Sequence, residues 1–156
     1  MTTQKPTSES HSAMLDVGSP LQLDVQAVEA LAVAHAWGRA FEERDLRGLL
    51  ALSTPDIRLG DGDRAADGHD GVRRMLLLQS YGVAQHARPV RYLVRGSTAV
   101  VEATLELRWV DGGELAETRD GVAVFEISDG RVRRFCPQPD LAAAFRAAGW
   151  APTDLP

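Results

Sequence analysis

Four segments that alternate apolar and polar residues, separated by short glycine-containing turns, most constrain the fold of this chain. They cover residues 90–95, 98–110, 115–127 and 131–137, and the sequences between them read GS, DGG and SDG. A period of two is typical of strands with one buried face, and turns of this kind join antiparallel neighbours. The second half of the chain is therefore predicted to be an antiparallel sheet of consecutive strands.

The alternation is cleanest over residues 98–110. The odd positions carry apolar side chains: Val101, Ala103, Leu105, Leu107 and Trp109. The even positions carry polar ones: Glu102, Thr104, Glu106 and Arg108. We expect Glu102, Glu106 and Arg108 to pair across strands on the outer or subunit-facing side of the sheet. If the concave side were the polar one, they would line a pocket instead.

The first half of the chain has a helical period. From residue 27 to residue 41, apolar residues recur three and four positions apart, which predicts one buried helix face. The members of this stripe are Ala27, Ala30, Leu31, Ala34, Trp37, Gly38 and Phe41. Asp24 is placed to cap this helix, and Asp45 to cap a shorter helix that Pro55 prevents from continuing. A short strand is expected over residues 56–60.

A third helix is predicted over residues 70–81, with Gly82 as its stop, and Asp140 is placed to cap a last helix, LAAAFRAAG. Helices that come first and strands that follow favour an α+β fold, with the helices segregated on one face of a curved sheet. Residues 1–20 are rich in Ser and Thr and poor in apolar residues, so they are predicted to be a disordered tail. Residues 21–156 are then one domain.

Composition limits the classes of partner. Hydrophobic residues make up 44% of the 156 residues, charged residues make up 25%, and the formal net charge is −5. This mild acidity provides no positive field for nucleic acid or for an anionic membrane surface. No apolar run reaches the length of a membrane span, and the N-terminus lacks the apolar core of a signal peptide. Because Cys136 is the only cysteine, no intrachain disulfide is possible, and we expect a cytoplasmic protein.

The sequence contains none of the common motifs for metals, nucleotides or covalent catalysis. The four histidines lack ligand spacing, and one cysteine cannot anchor a zinc site. The stretch DGDRAADG departs from the spacing of a calcium-binding EF-hand. There is no P-loop, no G-x-G-x-x-G fingerprint and no G-x-S-x-G elbow. We therefore expect neither a metal nor a cofactor.

Asp61 is the strongest catalytic candidate. Side chains alternate along a strand, so Asp61 has the same parity as Ile57 and Leu59 and is predicted to face the same apolar interior. Loss of hydration there disfavours the charged carboxylate, which raises its pKa and makes it a usable general base. The alternative is a solvated aspartate that opens the GDGD loop, where this residue type is common.

Five stretches carry a resemblance to a known group of proteins: RDLRGLLAL, PDIRLGD, DGHDGVRRML, GSTAVVEATLEL and GVAVFEISDGRVRRF. With the order of the elements, they resemble the nuclear transport factor-like superfamily. This group includes ketosteroid isomerases, limonene epoxide hydrolase, scytalone dehydratase and the SnoaL-like polyketide cyclases. The resemblance covers residues 26–150. It implies a cone-shaped barrel of helices packed on a strongly curved, mainly antiparallel sheet around one apolar pocket, and association as a homodimer.

The resemblance also implies a role for Asp61. The catalytic aspartate of ketosteroid isomerases falls on Asp61, whereas their first-helix tyrosine falls on Trp37 and their second aspartate near Ala123. The acid–base aspartate of SnoaL-like cyclases falls near Pro137. Of these catalytic sets, only Asp61 carries over.

We therefore predict a SnoaL-like enzyme of specialised metabolism that uses Asp61 for proton transfer on a small apolar, polyketide-like substrate, in an isomerisation, cyclisation or dehydration. The predicted substrate-binding residues are Trp37, Phe41, Phe125, Phe135, Glu106 and Arg108. Aromatic residues on the inner stripe of a helix, such as Trp37 and Phe41, are more often part of the core than part of a ligand site. Two other functions stay open, because one fold hosts many activities: an epoxide hydrolase or epoxide-opening cyclase, and a non-catalytic ligand-binding or dimerisation module.

Overall fold

The computed structural model describes residues 24–60, 66–78, 82–151 and 153. The helices, in chain order, are α1 (Val25–Glu42), α2 (Leu46–Ala51), α3 (Gly68–Leu78) and α4 (Leu141–Ala148). The strands are β1 (Ser53–Leu59), β2 (Ala66–Asp67), β3 (Val83–Arg95), β4 (Thr98–Trp109), β5 (Leu115–Ser128) and β6 (Arg131–Gln138). This arrangement confirms the predicted α+β class. The predicted tail, residues 1–20, lies outside the described residues and stays a prediction.

The described strands form one sheet in the order β2-β1-β6-β5-β4-β3. The strands β3 to β6 pair antiparallel with their neighbours along the chain, as the turn sequences predict. The first strand, β1, pairs in parallel with β6 and antiparallel with the short β2. The result is a mainly antiparallel sheet with β2 and β3 at its edges.

Two strands begin earlier than the sequence predicted. β3 begins at Val83 and runs through Pro89, whereas the predicted strand began at residue 90. Proline lacks a backbone donor but is tolerated at a sheet edge, and the pairing register shifts between Pro89 and Arg91. β1 begins at Ser53 and includes Pro55, because the preceding helix already ends at Ala51.

The predicted helix caps are confirmed. The carboxylates of Asp24, Asp45 and Asp140 each accept a hydrogen bond from a backbone N–H two or three residues further on, over distances of 2.9, 3.0 and 2.8 Å. An N-cap carboxylate satisfies a donor that the first helical turn leaves unpaired. These three contacts fix where α1, α2 and α4 begin.

The buried side of α1 differs in part from the predicted stripe. Ala30, Ala34 and Trp37 are buried as expected, but Leu31 is 40% exposed. Val33 and Ala40, which the stripe left out, are buried instead. None of the helices within the described residues is long and apolar enough to cross a membrane.

The helices cover both faces of the sheet, so the prediction of helices on one face only is wrong. One apolar cluster joins α1, α2 and α3 to residues such as Ala99, Phe125 and Ile127. A second cluster joins Phe145 of α4 to Val100 and further residues of the opposite parity on the sheet. Because neighbouring residues on a strand point to opposite faces, α4 lies on the other side. The sequence pattern had no means of assigning a face to this last helix.

Candidate functional site

A cavity of about 390 Å³ lies between α1 and the face of the sheet that α1 covers. Small-molecule sites commonly have volumes of about 300–1,000 Å³. Its apolar lining comprises Ala34, Trp37, Gly38, Phe41, Ala87, Pro89, Val101, Ala103, Leu105, Gly121, Val122, Ala123, Phe125, Phe135, Pro137 and Pro139. The site is therefore a largely apolar pocket within the fold.

The cavity exists because small residues face one another across it. Ala34 and Gly38 line it from α1, and Ala103 and Gly121 line it from the sheet, where the latter two are cross-strand partners. Leu105 lies over Gly121, since a Cβ atom there would be 2.6 Å from the Leu105 Cδ1 atom. Neither surface carries the large side chains at these points that would fill the space between them.

Four aromatic rings form one wall of the cavity. The centroid of the Trp37 ring lies 4.7 Å from that of Phe135 and 5.6 Å from that of Phe125. The ring of Phe41 is stacked on Trp37 at 5.9 Å with an interplanar angle of 9°. These separations lie in the range in which aromatic pairs attract each other. The wall is therefore rigid and apolar, and it has flat surfaces on which a ring system can lie.

The indole N–H of Trp37 is not available to a ligand. Trp37 is only 1% exposed, and its Nε1 atom donates to the Ser53 hydroxyl over 3.0 Å. Ser53 in turn donates to the carbonyl oxygen of Leu49 over 2.6 Å. A buried N–H with a satisfied partner holds the ring in one orientation. Trp37 is thus both a core residue and a cavity wall, and it presents only carbon atoms to the cavity.

The polar side chains of the cavity are few and lie at different depths. Those that line it among the described residues are Gln85, Tyr92, Arg119, Asp120 and Gln138. Arg119 and Asp120 are exposed at the open end, and Arg119 pairs with Glu117 over 3.0 Å. Burial raises the pKa of the Tyr92 phenol above its usual value of 10.0, so the phenol remains protonated at neutral pH.

The structure brings the four predicted aromatic residues together and separates them from the two predicted charged ones. Glu106 and Arg108 do not line this cavity. They have the opposite parity on β4 to Leu105, and Glu106 forms ion pairs with Arg88 and Arg108 over 3.0 and 3.1 Å. Of the two interpretations of Glu106 and Arg108, the structure matches pairing on the outer face of the sheet and not the lining of a pocket.

Asp61 lies outside the described residues, although the strand before it is described. Ile57 and Leu59 are both buried, as their shared parity predicted. The N–H of Gly60 donates to the carbonyl oxygen of Phe135 over 2.8 Å, which ties the end of β1 to the aromatic wall. Gly60 has a positive φ of 94°, so strand alternation ends there. Parity alone therefore gives no direction for residue 61.

Sequence reasoning missed Tyr92 and Gln85. The segment that contains Gln85 was not recognised as a strand, because its polar residues and Pro89 hid the alternation. Tyr92 lay inside a predicted strand, and its shared parity with Val94 was the signal that could have placed it on the inner face. Among the described residues, no group of three or more His, Cys, Asp and Glu side chains is arranged to hold a metal ion.

A long helix laid over a bent, mainly antiparallel sheet with an apolar cavity between them defines the nuclear transport factor-like class of α+β cones. A family model described as a SnoaL-like domain matches residues 34–135. The chain belongs to this SnoaL-like family. No curated protein sequence matches the chain significantly.

Solved structures show the same fold. A proposed polyketide cyclase from Xanthomonas campestris pv. campestris is 17% identical with a TM-score of 0.64, over 74% of this chain and 93% of that one. An LEH-like epoxide hydrolase from M. tuberculosis is 21% identical with a TM-score of 0.62, over 77% and 89%. An NTF2-like protein of unknown function from Burkholderia pseudomallei is 26% identical with a TM-score of 0.62, over 76% and 95%.

Proposed function

We propose that this protein binds a small, flat, largely apolar molecule in the cavity and catalyses proton transfer on it, as an isomerase, cyclase or dehydratase of specialised metabolism. The observation that carries the proposal is the aromatic wall of Trp37, Phe41, Phe125 and Phe135 beside a floor of small residues. A cavity with flat apolar walls and few polar groups favours fused-ring substrates such as polyketides. The similarity to a proposed polyketide cyclase is consistent with this substrate class.

Asp61 is the proposed general base. Its support is its place in the sequence directly after Gly60, whose backbone is hydrogen-bonded to Phe135 of the aromatic wall. A carboxylate near an apolar cavity can remove a proton from a carbon atom next to a carbonyl group, which leaves an enolate, and can then return a proton to the same or to another carbon. No cofactor is needed for such a step.

The first experiment uses 2-tetralone, a fused-ring ketone with exchangeable protons beside its carbonyl group. In D₂O, wild-type protein should accelerate the uptake of deuterium at these carbon atoms, as measured by NMR. Asp61→Asn keeps the shape of the side chain and removes the base, so the accelerated rate should fall by about 100-fold or more. Asp120→Asn is the matched control, because Asp120 is a carboxylate at the open end of the same cavity.

The outcomes separate the alternatives. Loss of exchange in Asp120→Asn with normal exchange in Asp61→Asn would show that Asp120 is the base. Tight binding of 2-tetralone without any accelerated exchange in wild type would favour a binding module. Both variants should keep the wild-type melting temperature, which shows that a lost rate is not a loss of folding.

We also propose that the protein is a homodimer that uses the outer face of the sheet. The support is a ladder of opposite charges on β3 and β4, in which Arg91 pairs with Glu102 and Arg88 with Glu106. Charges of both signs on one face can pair with a second copy of the same face. Light scattering should give a dimer mass at low salt and dissociation at high salt, because exposed ion pairs are screened. A monomer at every salt concentration would contradict this proposal.

A further inference from the structure

Tyr92 lies at one end of a row of paired residues that crosses the floor of the cavity. Tyr92 is the cross-strand partner of Val101, Val101 of Ala123, and Ala123 of Pro137. All four line the cavity. Neighbouring strands are separated by about 4.8 Å, so the row spans roughly 14 Å between the backbones of β3 and β6. Apart from the tyrosine, this row consists of apolar side chains.

The next row holds part of the aromatic wall. Val94, Ala99, Phe125 and Phe135 are successive partners across the same four strands. Since Val94 is two residues after Tyr92, the phenol belongs to the row adjacent to the rings of Phe125 and Phe135. A ring system that lies against these two phenylalanines therefore extends across the sheet towards the Tyr92 side.

The Tyr92 hydroxyl has no hydrogen-bond partner within the described part of the chain. The ring centroid of His35 lies 6.2 Å from that of the phenol. The Tyr92 ring packs against the core, which removes part of its surroundings from water. The hydroxyl is not among the fully buried unpaired polar atoms of the described residues, so water can reach it in the free protein. An acceptor atom on a bound ligand would replace that water.

The other polar groups of the cavity are committed or lie further from the aromatic wall. The Trp37 N–H is bonded to Ser53, and Gln138 Nε2 donates to Cys136 Sγ over 2.9 Å. Arg119 and Asp120 are exposed at the open end. Gln85 is the partner of Leu107 on β4, so it lies several rows away from the row of Tyr92.

We propose that Tyr92 selects the ligand: its hydroxyl donates a hydrogen bond to a carbonyl or phenolate oxygen at one end of a fused-ring molecule whose apolar body lies against Phe125 and Phe135. The substrate class is thus a ring system with a terminal acceptor oxygen, and the bare hydrocarbon of the same shape binds less well. This inference rests on the proposed function, because it requires the cavity to bind such molecules. It makes Tyr92 a specificity-determining residue.

The experiment compares two probes of one shape, 2-tetralone and its hydrocarbon tetralin, by NMR titration of wild type, Tyr92→Phe and Gln85→Leu. Tyr92→Phe should weaken binding of 2-tetralone by about 3- to 10-fold, the usual effect of one neutral hydrogen bond, and leave tetralin unchanged. Gln85→Leu removes a polar group from the same cavity and should leave the ratio of the two affinities unchanged. The carbonyl stretch of bound 2-tetralone should lie at lower frequency in wild type than in Tyr92→Phe.

Four results would overturn the inference. Equal loss of affinity for both probes in Tyr92→Phe would assign a purely structural role to the phenol. A change of the affinity ratio in Gln85→Leu alone would identify Gln85 as the anchor. If neither probe binds wild type, the proposed function and this inference fail together. If both bind wild type and Tyr92→Phe equally well, the inference alone fails.

Discussion

The two faces of the sheet are packed by opposite rules. On one face, α4 places Ala144 against Val100 and Val124, so a small helix residue meets large strand residues. On the other face, α1 places Ala34 and Gly38 over a floor of small strand residues, and a cavity of about 390 Å³ remains. A small side chain that packs against large ones fills the space between helix and sheet, whereas small side chains that face one another leave a cavity.

The comparison shows that the cavity is a property of particular positions and that the rest of the covered face is packed. Between these two small residues, Ala34 and Gly38, the same helix buries Trp37 in an aromatic cluster. A substitution that adds atoms should therefore have opposite effects on the two faces.

Trp37→Ala should lower the free energy of unfolding by about 3–5 kcal/mol, because the ring is buried and its N–H is bonded to Ser53. Trp109→Ala is the matched control, since Trp109 is 50% exposed and its loss should change stability by about 0.5 kcal/mol or less. Urea denaturation measures both. Similar small losses in the two variants would mean that the cavity wall is not part of the core.

Adding atoms to the packed face should cost stability. Ala144→Leu should lower the free energy of unfolding by about 1–3 kcal/mol, because Ala144 is fully buried against Val100 and Val124. Ala103→Leu on the other face should change stability by about 0.5 kcal/mol or less, because its new atoms enter the cavity. It should also abolish binding of 2-tetralone. Equal losses of stability in the two variants would remove the contrast between the faces.

Two glycines of the cavity should respond to alanine with different signs. Gly38→Ala should stabilise by about 0.5–1 kcal/mol, because a Cβ atom in α1 meets nothing within 4 Å and alanine favours the helix. Gly121→Ala should lower the free energy of unfolding by up to about 1 kcal/mol, because the new Cβ atom pushes the flexible Leu105 side chain aside. Thermal denaturation of the pair checks this. A stabilising Gly121→Ala would show that Leu105 moves without cost.

The pH dependence of stability should reveal the buried phenol as the smallest of these effects. Because burial raises the pKa of Tyr92, the folded protein holds this proton more tightly than the unfolded chain does. The contribution of this proton to the free energy of unfolding is fully present below pH 10.0, the pKa of the phenol in the unfolded chain. It is lost as the pH rises through the higher pKa that Tyr92 has in the folded protein. Wild type should therefore lose more stability than Tyr92→Phe between pH 9 and about pH 11. Parallel losses would show that the phenol is as hydrated as in the unfolded chain.

The sequence was a good guide where one local rule decides the structure. The caps at Asp24, Asp45 and Asp140 and the hairpins of β3 to β6 follow from side-chain chemistry within a few residues, and they are confirmed. The four aromatic wall residues were also predicted, with the help of the family resemblance. The family and the α+β cone were predicted from a resemblance that five stretches of sequence and the order of the elements carry.

Features that depend on distant parts of the chain were predicted less well. Whether α4 covers one face or the other is decided by packing against Val100 and Val124, which lie far away in sequence. Alternation shows that Glu106 and Arg108 share one face of β4, but it does not show whether that face lines the cavity or lies on the outside of the sheet. The role of Tyr92 needed the register of four strands before its place in the row next to that of Phe125 and Phe135 became visible.

The parallel pair of β1 and β6 has a consequence for biosynthesis. It joins Ser53 to Val132 and Leu59 to Phe135, so β1 has no main partner until the ribosome has made β6, more than 70 residues later. Meanwhile β3, β4 and β5 can already pair as hairpins, because such local contacts form faster than distant ones. A nascent chain that stops before β6 would carry an unpaired apolar strand that is prone to association. Because Phe135 belongs to β6, a chain without β6 also lacks part of the cavity lining, so ligand binding requires that β6 has been made.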